Sequence, residues 1–127
     1  MTHAVRTMQA PAAIGPYSQA VVADALVFVS GQLPLDPTTG EIVGTTAAEQ
    51  AVQSLANIEA VLGAADLGLR DVVKTTVFLA DIADFAAVNE VYGQRFCDGV
   101  LPARSACAVR DLPRGAKVEI EVIAQRR

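Results

Sequence analysis

The chain has no tryptophan, one histidine, two cysteines and only six aromatic residues among 127. Each scarcity removes a class of chemistry. With His3 the only imidazole, neither a Ser-His nor a Cys-His nucleophilic pair is available, and an ordinary protein metal site has almost no ligands to draw on. Cys97 and Cys107 are not spaced as a metal or redox pair and fit a reducing compartment, where each acts as a small apolar residue. Basic charge is short as well. Ten Lys and Arg against 14 Asp and Glu give a net charge of −4, so no broad phosphate-binding field exists and nucleic acid is not expected as a partner. No apolar run reaches membrane-helix length, and Met1-Thr2-His3-Ala4-Val5-Arg6 lacks the basic start and apolar core of a signal peptide. The expectation is a cytosolic protein with no membrane contact.

A hydrophobic content of 52% with 19% charged residues is that of one globular domain, spanning 1–127. Residues 4–8 suit a short first strand, and 10–16 are too rich in Pro and Gly for a regular element, leaving a loop that presents Tyr17. Residues 18–23 and 26–30 read as two strands separated by Asp24-Ala25, the second ending in Ser30-Gly31-Gln32. A glycine just past a buried strand lets backbone N–H groups approach a ligand, or simply makes a bend. Asp36 to Gly40 has turn composition, and 41–43 suit a brief edge strand.

Thr46 and Glu49 form a capping box, and Ala51, Leu55, Ile58, Leu62 and Ala65 give one apolar stripe, predicting a helix over 47–66. A strand follows at 72–79. Asp84 is placed as N-cap of a second helix, with Phe85, Val88, Tyr92 and Phe96 on one face and Gly99 closing it. The last strands, 104–109 and 117–124, are joined by a turn at 111–115. Strand alternation puts Val118, Ile120, Val122 and Ala124 on one face and Glu119 and Glu121 on the other. The same count groups Ser105, Cys107 and Val109, and places Arg104 opposite them, on the non-helical side with Glu119; Cys107 is accordingly expected to pack under the helices. The element order implies an α+β fold, a mixed sheet with both helices on one face.

Arg104, at the start of a small, apolar strand, needs a partner. It is either ion-paired within the fold, with Glu119 or Glu121 as candidates, or it faces a cavity that receives an anion. A guanidinium fork holds a planar carboxylate best, which makes the ligand a small acid. Tyr17 then covers its flat face or merely anchors a loop, Glu119 holds a water, and the Gly31 region offers backbone donors.

Taken together, Gly15-Pro16-Tyr17-Ser18-Gln19, Ser30-Gly31-Gln32, Gln50, Asn57, Lys74 to Leu79, Asp84-Phe85, Val88 to Tyr92, Pro102-Ala103-Arg104-Ser105 and Glu119-Ile120-Glu121 resemble the YjgF/RidA family of enamine/imine deaminases, from about Ala10 to Ala124. The resemblance implies a chorismate-mutase-like fold and a homotrimer, with sheets inward, helices outward and three sites at subunit interfaces. It implies hydrolysis of 2-aminoacrylate and related enamines, through their imines, to 2-keto acids and ammonia, which protects pyridoxal-phosphate enzymes without a cofactor of its own. Carried over, Arg104 is the carboxylate-binding arginine, Tyr17 the site tyrosine, Asn89 the site asparagine and Glu119 the water-positioning glutamate, while Ser30 and Gly31 match the site loop. Many relatives carry a cysteine two residues after the arginine, where this chain has Ala106. That leaves position 106 its backbone carbonyl to meet the substrate water, and leaves Cys107 outside the catalytic set. The alternatives are a non-catalytic binding module for small carboxylic acids and an endoribonuclease.

Overall fold

The computed structural model describes residues 1–127. Strands β1 (Thr2–Val5), β2 (Ala20–Ala23) and β3 (Leu26–Gln32) precede helix α1 (Ala47–Ala64). Strand β4 (Val72–Leu79), helix α2 (Phe85–Arg95) and strands β5 (Ala103–Ala108) and β6 (Val118–Gln125) follow. All six strands form one sheet in the order β1-β2-β3-β6-β4-β5, antiparallel except for the parallel pair β4 and β5. This is the expected α+β architecture. No helix is long and apolar enough to cross a membrane.

Both helices lie on one face. The expected α1 stripe is present, with Leu55, Ile58 and Leu62 fully buried against Val27, Val77, Ile120 and Val122. The Thr46–Glu49 capping box starts the helix, which ends two residues earlier than expected because Asp66 adopts φ +62°. The N–H groups of Asp66 and Leu67 then donate to Gly63 and Leu62, a Schellman stop with Asp in the position usually held by glycine. Three polar α1 residues are also buried, and two of them anchor loops. Gln50 donates to Gly44 O and accepts from Lys117 N, whereas Asn57 donates to the carbonyls of Leu33 and Leu35.

Several edges differ from expectation. β1 runs from residue 2 to 5 rather than 4 to 8, and 41–43 contribute only an isolated bridge between Leu35 and Ile42. Asp84 occupies the N-cap position of α2 without a capping hydrogen bond; Asp81 caps instead, accepting from Ala83 N at 2.9 Å, through one 3-10 turn that runs into the helix. Gly99 does not close α2, whose cap is Phe96, but turns the following loop at φ +72°.

The other face of the sheet has no covering layer within the chain. Phe28, 43% exposed, lies across from Ile123 there, with Phe78, Thr76, Glu119 and Glu121 on the same side.

Candidate functional site

The extra residue in β3 decides the position of the first cluster. Val29 pairs with Val122 and Gln32 with Ile120, so two residues, Ser30 and Gly31, stand against Glu121 alone and form a bulge beside Glu119. A Cβ at Gly31 would stand 2.6 Å from Glu119 Oε2. A larger residue at position 31 would thus displace the Glu119 carboxylate, so the glycine leaves that side chain its place against the bulge. Ser30 Oγ donates to Ser18 O at 2.6 Å and Ser30 N to Gln19 O at 2.9 Å, tying the bulge to the loop that carries Tyr17. Gln19 ties the far side of that loop. Its buried amide accepts from Thr7 N and donates to Thr7 O and Pro11 O. Tyr17 is 55% exposed beside a cavity of about 450 Å³ that Val5, Thr7, Ala10 and Gln19 also line, and its hydroxyl accepts from Ile14 N at 3.4 Å. Ser30, Gly31 and Glu119 thus belong to one neighbourhood, to which Ser18 and Gln19 tie the loop carrying Tyr17.

Glu119 is half-buried there, and its carboxyl is pushed above its ordinary value, first by burial and then by the charge of Glu121. The folded state consequently holds that proton more tightly than the unfolded chain, so carrying Glu119 ionised costs stability as pH rises above the ordinary carboxylate range. Below that range the cost is absent. Glu119→Gln is therefore expected to melt higher than the wild type at pH 7, with the advantage gone by about pH 4. Melting curves at the two pH values check this, and equal melting temperatures at pH 7 would refute it.

Arg104 belongs to a second neighbourhood. In β5 it stands opposite the buried Thr75 of β4, and its side chain turns to α2, where Nη1 donates to Asn89 Oδ1 at 2.6 Å. The guanidinium carbon lies 4.7 Å from the Tyr92 ring centroid and 5.3 Å from that of Phe85. None of the four ion pairs in the chain includes Arg104. The structural ion pair is therefore not formed, and the exposed guanidinium has donors left for an anion.

This corrects the expected side assignment. Arg104 faces the helices, and Cys107, opposite Phe78, which is itself opposite Glu119, lies on the uncovered face with that glutamate. The reason is that β5 is an edge strand whose side chains are all exposed or half-buried, so its small residues carry no burial pattern for alternation to reveal. Ala106 sits two residues beyond Arg104 on the same side, opposite Val77. Glu119 on β6 is level with Cys107 on β5, so Arg104 lies two strand spacings across, roughly 10 Å, and three residues along, roughly another 10 Å, on the opposite face. One chain does not bring them together. Sequence reasoning also missed the aromatic bed beneath Arg104, although Phe85, Asn89 and Tyr92 stand at the i, i+4, i+7 spacing of a single helical stripe. No group of three or more His, Cys, Asp or Glu is clustered to hold a metal ion.

The family model described as Endoribonuclease L-PSP matches residues 7–126. A Mus musculus protein named 2-iminobutanoate/2-iminopropanoate deaminase is 52% identical over 120 residues, 94% of this chain and 88% of that protein. The crystal structure of the E. coli YjgF gene product superposes with a TM-score of 0.93 at 47% identity, covering 98% of this chain and 99% of the other. E. coli TdcF with bound serine gives 0.93 at 46% identity, with the same coverage.

Proposed function

The chain belongs to the endoribonuclease L-PSP family, the YjgF/RidA family that the sequence resembles, and from that premise we propose that it is a 2-iminobutanoate/2-iminopropanoate deaminase. It hydrolyses 2-aminoacrylate and its homologues to 2-keto acids and ammonia, without a cofactor, in the cytosol. The observation that carries the reading is the guanidinium of Arg104, oriented by Asn89 and two aromatic rings and joined to no carboxylate of its own chain. Relatives near 50% identity named for this activity, and a relative with serine, a small amino acid, bound, support it.

Arg104 fixes the substrate carboxylate through parallel charge-assisted hydrogen bonds. Protonation of the enamine methylene carbon and loss of an N–H proton give the imine, to which water adds. Glu119 orients and deprotonates that water, the carbinolamine collapses, and ammonia leaves. A carboxyl raised above its ordinary value is a better base than a free glutamate, which suits this step. Tyr17 covers the substrate, and the Ser30-Gly31 bulge supplies backbone donors. Because Glu119 and Arg104 of one chain lie on opposite faces, the site is completed between copies, Arg104 of one protomer meeting Glu119, Gly31 and Tyr17 of the next. A homotrimer built on the uncovered sheet face provides three such sites.

Two measurements test this. Adding the pure protein to a dehydratase that generates 2-aminoacrylate is expected to accelerate pyruvate and ammonia release; unchanged release with intact pyruvate binding would leave only a binding module. Light scattering is expected to report about three times the 13.2 kDa chain mass. A single-chain mass at micromolar concentration would refute the shared site.

A further inference from the structure

An arginine that holds a carboxylate must be aimed as well as free. Its plane decides whether two N–H groups or one reach the ligand. The three residues that touch the Arg104 guanidinium, Phe85, Asn89 and Tyr92, come from one stripe of α2, and Tyr92 differs from the other two. Its side chain is 8% exposed and its ring packs on Phe96 at 4.5 Å between centroids. Its hydroxyl is 2.8 Å from Oγ1 of Thr75, which is fully buried. Thr75 in turn stands directly opposite Arg104 in the parallel pair β4 and β5.

The contacts close a circuit. Arg104 rests on Tyr92, Tyr92 is tied to Thr75, and Thr75 is held in register with Arg104. Phenylalanine would fill the same apolar space, and threonine is a polar choice on a strand face otherwise made of Val72, Val77 and Leu79. Two hydroxyls buried solely for each other add little to packing. Their geometric effect is to anchor the tip of the ring, and through the ring the guanidinium that rests on its face at 4.7 Å. We infer that Tyr92, locked by Thr75, is a positioning residue for Arg104. The inference rests on the reading of Arg104 as the carboxylate clamp.

Removing the ring or its tie disturbs a contact made equally in substrate and transition state, so KM moves and kcat does not. Tyr92→Leu is expected to raise KM, and the dissociation constant of pyruvate measured by calorimetry, by about tenfold, with kcat within about threefold of the wild type. Thr75→Val, which keeps the ring and loses the tie, is expected to raise both by about threefold, and Thr75→Ser, which restores the hydroxyl, to return them to wild-type values. If Tyr92→Leu does not fold, the Thr75 pair decides. Variants that melt lower yet bind pyruvate with wild-type affinity would assign the two residues a purely structural role and overturn the inference. A ligand-free readout separates this from failure of the clamp reading. The Nε–H resonance of Arg104 lies in the ring current of Tyr92 and is expected to shift in Thr75→Val and recover in Thr75→Ser. A wild-type protein that neither binds pyruvate nor releases ammonia sinks the clamp, and the resonance still decides whether Thr75 and Tyr92 hold the guanidinium; no shift would overturn the inference.

Discussion

Gly31→Ala is expected to lower kcat/KM by about a hundredfold while the protein stays folded. Gly31 does not have a positive φ, so its backbone accepts alanine without strain. The added methyl would meet Glu119 at 2.6 Å from Oε2, 3.0 Å from Cδ and 3.2 Å from Cγ, and no other atom comes closer. Backbone cannot yield cheaply, whereas a glutamate side chain can rotate. The carboxylate therefore moves by on the order of 1 Å, the scale at which misplacement of a catalytic group costs about two decades in rate. Stability measured by thermal melting should change by less than about 1 kcal/mol, because no core residue is displaced. Wild-type activity in Gly31→Ala would mean that the position of the Glu119 carboxylate is not critical to the reaction.

The value of alternation as a guide depended on what each strand buries. In β6 the large residues Val118, Ile120 and Val122 are fully or almost fully buried and Glu119 and Glu121 are not, so period-two reading placed both glutamates on the correct face. In β5 every side chain is small or charged and the strand is paired on one edge only, so the pattern had nothing to report and Arg104 and Cys107 were put on the wrong sides. The α1 register was legible for the opposite reason, since its stripe is made of leucines and isoleucine with a capping box in front. Gly31 was visible as a glycine beyond a strand, but its reason lies 88 positions later in Glu119, a contact set by the β3–β6 pairing that no local signal carries. Individual roles for Arg104, Asn89 and Tyr17 rested on the family resemblance. Local chemistry alone left an arginine with an open choice of partner.

Arg104→Lys is expected to reduce kcat/KM by at least about a hundredfold, equivalent to about 2.7 kcal/mol of transition-state stabilisation, with little change in melting temperature. Lysine keeps the positive charge and loses the planar fork that matches a carboxylate, and its compact ammonium gains less from the Tyr92 and Phe85 rings. The fold should barely respond, because the guanidinium is exposed, its one side-chain partner is a neutral amide, and no carboxylate is left uncompensated. A structural ion pair would have behaved otherwise, costing about 3–5 kcal/mol when one buried partner is removed. The same variant tests where the site lies. In a cyclic trimer each site would take Arg104 from one protomer and Glu119 from its neighbour, so Arg104→Lys and Glu119→Gln chains, each inactive alone, are complementary. Refolding an equal mixture assorts the chains at random, and about a quarter of the sites then receive both intact residues. Activity is expected to return to about a quarter of the wild-type rate. If both residues served one site within a single chain, no mixture would recover any activity, and the arrangement between copies would have to be abandoned.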